Sequence, residues 1–130
     1  MPGHHQRVLI VDDDKAVREA LEFALRLQGF CVRVYSGGQE LLAGGDLDTA
    51  GCVIVDDRMP DMDGLELIDQ LRRRAIPVPA ILMTSHVTDR LQAQAAVAGV
   101  QVVLEKPFLE NALAASIQTI LGAPDCLPGT

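Results

Sequence analysis

Along the chain, short unbroken apolar runs alternate with longer stretches whose apolar positions recur every three or four residues. Val8 to Val11, Cys52 to Val55, Ala80 to Met83 and Val102 to Leu104 are runs of the first kind, and Phe30 to Val34 is a similar run broken by Arg33. Short runs rich in Val, Ile and Leu, bounded by Gly, Pro or Asp, predict strands buried on both faces. Between them lie Lys15 to Gln28, Gln39 to Ala43, Leu65 to Arg74, Thr88 to Ala98 and Leu109 to Leu121, and these predict helices. Val17, Leu21, Ala24 and Leu25 mark the apolar face of the first, and Leu65, Ile68 and Leu71 that of the third. Asp14 stands where a side chain can cap the first helix, and Gly29 where the chain can leave it. Gly99 ends the fourth helix, and Pro77 and Pro79 follow the third.

Buried strands joined by helical crossovers predict a parallel sheet covered on both sides. The expected fold is therefore α/β, a doubly wound (βα)5 unit with a five-stranded parallel sheet and helices on both faces. One domain is expected over 7–121, with 1–6 as an N-terminal tail and 122–130 as a C-terminal tail or the start of a linker.

Composition sharpens this only in places. At 130 residues, with aromatics at 3% and no Trp, the core has to be aliphatic. The net charge of -7 argues against a general nucleic-acid surface or an anionic membrane surface. Cys31, Cys52 and Cys126 are odd in number and lack metal-ligand spacing, which predicts reduced, mostly buried thiols. His4-His5 sits in a polar tail and reads as solvated. No apolar signal core opens the chain and no run reaches transmembrane length, so a cytoplasmic location is expected.

The candidate chemistry lies at the ends of the strands. The first strand runs into Asp12-Asp13-Asp14, the third into Asp56-Asp57, the fourth into Thr84-Ser85 and the fifth into Lys106. In a parallel sheet these tips share one edge, where ligands of open α/β folds collect. One pocket should then hold several carboxylates, a hydroxyl and an ammonium. Clustered carboxylates repel unless a cation neutralises them. Hard oxygen donors suit Mg²⁺, which prefers a phosphate partner. A carboxylate can take a phosphoryl group as an acyl phosphate, and Mg²⁺ with a Lys offsets the charge on the phosphoryl oxygens. Taken singly, each feature has a plain reading: an Asp pair as a helix cap, a Lys-Pro as a loop, a Thr as a turn residue. Their coincidence at four of five strand ends favours phosphoryl chemistry at Asp56.

Val11-Asp12-Asp13, Asp56 followed by Arg58-Met59-Pro60-Asp61-Met62-Asp63-Gly64, Thr84, and Lys106-Pro107-Phe108 together resemble a two-component response-regulator receiver domain, over Val8 to Leu121. The resemblance implies a phosphoacceptor at Asp56, three residues before Met59-Pro60. Its neighbour Asp57 is turned to the other side by strand pleating. Asp12 and Asp13 resemble the acidic pair that holds Mg²⁺, with Asp13 favoured as direct ligand and the backbone carbonyl of Arg58 as a further one. Thr84 resembles the switch hydroxyl and Lys106 the phosphate-pairing lysine, with a cis bond to Pro107. The motifs look closest to the nitrogen-fixation-type branch, whose members usually carry a helix-turn-helix output domain. The resemblance also implies a sensor histidine kinase or phosphotransfer protein as partner, and an output surface made by helix four, strand five and helix five. That surface would serve a receiver homodimer or a downstream protein, with no direct contact to nucleic acid. Leu109, Leu113, Ile117 and Ile120 line helix five and are either part of this surface or simply core.

The chain departs from the family pattern in two places. Val103 stands where the family carries its aromatic switch, three residues before the Lys, so coupling through a rotating ring is not available. Ser85 replaces the usual Gly or Ala beside Thr84. Arg58 and His86 occupy positions where the family varies residues that gate attacking water, which predicts an altered phosphoryl lifetime.

Two other classes compete. Asp12-Asp13-Asp14 contains an Asp-x-Asp, as in haloacid-dehalogenase-type phosphatases, which would make the protein an Mg²⁺-dependent enzyme. The following Lys15-Ala16 and the short chain count against it. Flavodoxin-like binding of FMN fails on electrostatics, because three aspartates after the first strand would repel phosphate. The receiver reading makes the protein a signalling domain and not an enzyme beyond self-catalysed phosphorylation and dephosphorylation. With no DNA-binding segment after helix five, the protein either works by contact with partners or is one domain of a longer chain.

Overall fold

The computed structural model describes residues 7–107 and 110–122. Five strands and five helices alternate: β1 (Arg7–Val11), α1 (Lys15–Leu27), β2 (Cys31–Tyr35), α2 (Gly38–Ala43), β3 (Ala50–Asp56), α3 (Gly64–Arg73), β4 (Ala80–Thr84), α4 (Asp89–Val97), β5 (Val100–Glu105) and α5 (Glu110–Leu121). The strands form one sheet in the order β2-β1-β3-β4-β5, and every pairing is parallel. This is the expected fold class.

The strand sequences explain why the sheet is sandwiched. Alternate residues of a strand face opposite sides. Leu9, Val11, Val53, Val55, Ala80 and Leu82 pack in one buried cluster with Leu41 of α2, Leu67, Ile68 and Leu71 of α3, and Ala95 of α4. Val8, Ile10, Cys52, Ile54, Ile81 and Met83 pack in a second with Leu21 and Leu25 of α1, and Leu113 and Ile117 of α5. The central strands are apolar on both faces because each face has its own helical layer. Leu113 and Ile117 of α5 are thus core residues, whereas Leu109 lies outside the described residues.

The helix boundaries follow their capping signals. The Asp14 carboxylate accepts from the amides of Ala16 and Val17 at the start of α1, as its position predicted. Thr88 is not the first residue of α4 but its N-cap, accepting from the amide of Leu91. Gly29 and Gly99 take φ of 95° and 80°, a left-handed conformation that ends each helix at little cost to glycine. Strand boundaries differ from expectation by one or two residues. β2 is shifted one residue on, β3 begins at Ala50, and β5 begins at Val100. Ala50 and Gly51 present too little side chain to register as an apolar run, yet Ala50 pairs with Arg7 across the sheet. A single 3-10 turn at Leu47–Thr49 had no sequence signal.

Cys52 is a free thiol at the centre of the sheet, and burial pushes its pKa up to about 12, so it is inert as expected. Cys31 is disulfide-bonded, which corrects the expectation of reduced thiols throughout. Spacing along a chain does not reveal which thiols meet in space. Cys126 and His4-His5 lie outside the described residues. Among the described residues, no helix is long and apolar enough to cross a membrane.

Candidate functional site

The sheet order reverses between β1 and β3, since the chain goes first to one side of β1 and then to the other. Crevices at such reversals, beyond the carboxyl ends of the strands, are where open α/β folds bind ligands. Asp12 and Asp13 follow β1 there, Asp56 ends β3, and Lys106 follows β5. Ligand oxygens of Asp12, Asp13 and Asp56 all lie within 4.8 Å of one another, so the three carboxylates are placed to hold a metal ion. Asp12 is fully buried, Asp56 half-buried and Asp13 exposed. Such a set of hard oxygens, open to water on one side, fits a small divalent cation that keeps part of its hydration shell.

Lys106 reaches into the cluster from the far strand. Its Nζ lies 3.1 Å from Asp56 Oδ1 and 3.4 Å from Asp12 Oδ2. Its amide donates to the Thr84 carbonyl at 2.7 Å, and its bond to Pro107 is cis, as the resemblance implied. Burial pulls the Lys106 pKa down, but the Asp12 and Asp56 carboxylates outweigh it and the net shift is upward. Burial, followed by repulsion from Asp12, raises the Asp56 carboxyl above its ordinary value, and Lys106 only partly offsets this. The buried Asp12 is further fixed by the Asp14 amide, which donates to its carboxylate at 2.9 Å, and by Arg18, which donates to its carbonyl at 2.8 Å.

The loop after β3 is held as tightly as the strand. Met59 and Met62 are buried, and Asp61 Oδ2 accepts from the Gln39 amide at 2.9 Å. Backbone amides, that of Gln39 foremost, hold the Asp61 carboxyl below the usual range. The Gly64 amide donates to the Asp57 carbonyl at 2.9 Å. A Cβ on Gly64 would collide with the Asp56 carbonyl oxygen, so only glycine lets α3 start this close to the tip of β3.

The structure thus brings together Asp12, Asp13, Asp56 and Lys106, four of the residues expected to share a pocket. The hydroxyl is the exception. Thr84 is buried at the end of β4, but its Oγ1 faces Asp57 Oδ2 at 3.2 Å and the His86 carbonyl at 3.3 Å, and it accepts from the His86 amide at 3.2 Å. A side chain at a strand end is free to choose its rotamer, so the strand position alone did not fix where the hydroxyl points. Asp57 does turn away from the acid cluster, as pleating predicted, and lines a groove of about 960 Å³ between α3 and α4. Its bond to Thr84 is the feature that sequence reasoning missed, since pleating reports a face and not a partner. Arg58, Ser85 and His86 are exposed around the same groove. Val103 is half-buried against the α3–α4 cluster and presents no ring.

Comparison with known proteins agrees with this geometry. The transcriptional regulatory protein FixJ of Bradyrhizobium diazoefficiens is 35% identical over 92% of this chain and 57% of its own length. The C4-dicarboxylate transport transcriptional regulatory protein DctD of Pseudomonas aeruginosa is 38% identical over 88% of this chain and 25% of its own. The chain spans about half the length or less of these curated relatives. Among solved structures, FixJ-N superposes with a TM-score of 0.81 at 33% identity, covering 93% of this chain and 97% of that one. Chemotaxis protein CheY4 of Vibrio cholerae superposes with a TM-score of 0.83 at 26% identity, covering 90% and 99%. The phosphatase alternative draws no support from these matches. Residues 8–118 match the response regulator receiver domain, and with them nearly the whole described sheet and the acid cluster, so the chain belongs to that family of two-component signalling domains.

Proposed function

We propose that Asp56 is the phosphoacceptor of this receiver and that a sensor histidine kinase or phosphotransfer protein is its donor. The observation that carries the assignment is the position of Lys106 Nζ, 3.1 Å from Asp56 Oδ1, beside two further carboxylates. Asp57 lacks both neighbours. In the transfer, an Asp56 oxygen forms a bond to phosphorus as the bond from phosphorus to the donor's imidazole nitrogen breaks, and that nitrogen keeps the electron pair. Asp12, Asp13, Asp56 and the Arg58 carbonyl are assigned to Mg²⁺, which when bound offsets negative charge on the phosphoryl oxygens. Lys106 then exchanges its contact with the free carboxylate for one with a phosphoryl oxygen. Burial of Asp12 keeps its carboxylate in place with little reorganisation.

The output is assigned to the surface of α4, β5 and α5, where a second receiver or a downstream protein would dock. The relatives FixJ and DctD are named as transcriptional regulators, which supports regulation of transcription by a longer protein of which this domain is the input. Arg58 and His86, exposed next to Thr84, are assigned to control of the phosphoryl lifetime.

Incubation with Mg²⁺ and acetyl phosphate tests the acceptor. A phosphoryl mass increment that maps to Asp56 and vanishes in Asp56→Asn is expected. An increment retained in Asp56→Asn, or one that maps to Asp57, overturns the assignment.

A further inference from the structure

The Thr84 hydroxyl carries one hydrogen, and two acceptors already face it. Asp57 Oδ2 is at 3.2 Å and the His86 carbonyl at 3.3 Å. Of the two, the carboxylate is the stronger acceptor, because charge-assisted hydrogen bonds outweigh neutral ones. The oxygen lone pairs are used as well, since the His86 amide donates to Oγ1 at 3.2 Å. Thr84 is 2% exposed, so water does not compete for the hydroxyl. To donate to a phosphoryl oxygen on Asp56, the same hydrogen has to leave Asp57.

We propose that Asp57 is a positioning residue that latches Thr84 in the resting state, its carboxylate competing with the phosphoryl group at Asp56 for the one hydroxyl hydrogen. The latch rests on the assignment of Asp56 as acceptor. The bonds from Thr84 to the phosphoryl group and to Asp57 exclude each other, so phosphorylation and the latch weaken one another by the same factor. The arrangement also gives the switch an element to act on where Val103 offers no ring. When Thr84 leaves, the Asp57 carboxylate loses its donor at the head of the groove between α3 and α4, beside Arg58 and His86.

Beryllofluoride with Mg²⁺, a phosphoryl mimic, tests the latch by calorimetry on the wild type and on Asp57→Ala, Asp57→Asn, Thr84→Val and Asp57→Ala/Thr84→Val. Removing a competing charged acceptor is expected to tighten binding in Asp57→Ala by roughly three- to thirtyfold. Asp57→Asn, which keeps a neutral acceptor of the same shape, should fall between. In the Thr84→Val background, Asp57→Ala should lose most of its effect, leaving only the long-range charge contribution. In ¹H–¹⁵N spectra, the His86 amide of mimic-free Asp57→Ala should move part of the way to its mimic-bound position, which a merely structural residue would not cause. Unchanged affinity in Asp57→Ala, equal tightening with and without the Thr84 hydroxyl, or an unmoved His86 amide would each overturn the latch. A wild type that binds no mimic, or an Asp56→Asn variant that binds it equally, would instead overturn the acceptor assignment and the latch with it.

Discussion

Asp56 sits where its ionised form is less favoured than it is in water. Burial and the Asp12 carboxylate raise its pKa above the ordinary value, and Lys106 recovers only part of that. A carboxyl whose folded pKa is raised favours folding below its unfolded pKa and loses that contribution as pH climbs through the folded value. At neutral pH the ionised Asp56 therefore costs stability. Asp56→Asn is expected to unfold at a higher urea concentration than the wild type in metal-free buffer at pH 7. The gain should shrink as pH falls through the raised folded value and be gone below the ordinary aspartate value of about 3.9. Equal midpoints at pH 7 would show that Lys106 neutralises the site completely. The same residue illustrates what a sequence can and cannot say. A carboxylate at a strand tip before Met59-Pro60 is legible as chemistry, because the apolar run forces the strand and the Pro ends it. That Thr84 points at Asp57 was not legible, because a rotamer is chosen by neighbours that are 27 positions away.

Two elements carry more than their sequence suggests. Arg72 reads as one of three consecutive arginines at a solvated helix end. In the fold its guanidinium donates to the carbonyls of Ile76 and Val78 before β4, and of Ala98 and Gly99 after α4. It thus joins the end of α3 to the end of α4, and no periodicity along α3 could announce partners contributed by another helix. Arg72→Ala strands four carbonyls and is expected to cost about 2–4 kcal/mol in chemical denaturation. Arg73→Ala removes an exposed ion pair with Asp69 and should change stability by no more than about 0.5 kcal/mol. The second element is the start of α3. The reason for Gly64 there is steric, since a Cβ would meet the backbone of Asp56. Gly64→Ala is expected to lose about 1–3 kcal/mol by overpacking and to shift the Asp56 amide resonance in the same variant. Helix ends at Gly29 and Gly99, and the cap at Asp14, were legible because each is settled within a few residues.

At the scale of the whole molecule, the parallel sheet follows from strands that are apolar on both faces, but the order β2-β1-β3-β4-β5 is visible only once they pair. That order sets Asp12, Asp13 and Asp56 around one crevice, so a cation that binds there should stabilise the whole domain and not just a loop. By linkage, Mg²⁺ at a hundred times its Kd should add about 2.7 kcal/mol to unfolding. Thermal melts with and without Mg²⁺ would measure it, and Asp13→Ala should abolish most of the increment. Lys106 gives the crevice a further property. The ammonium meets partners 50 and 94 positions earlier in the chain. As the polypeptide leaves the ribosome, all three acids emerge long before the lysine beside them. A nascent domain that has already paired β1 with β3 holds uncompensated like charges at its heart until β5 is in place. Completion of the last strand is thereby favoured electrostatically, because β5 delivers the lysine that compensates Asp12 and Asp56.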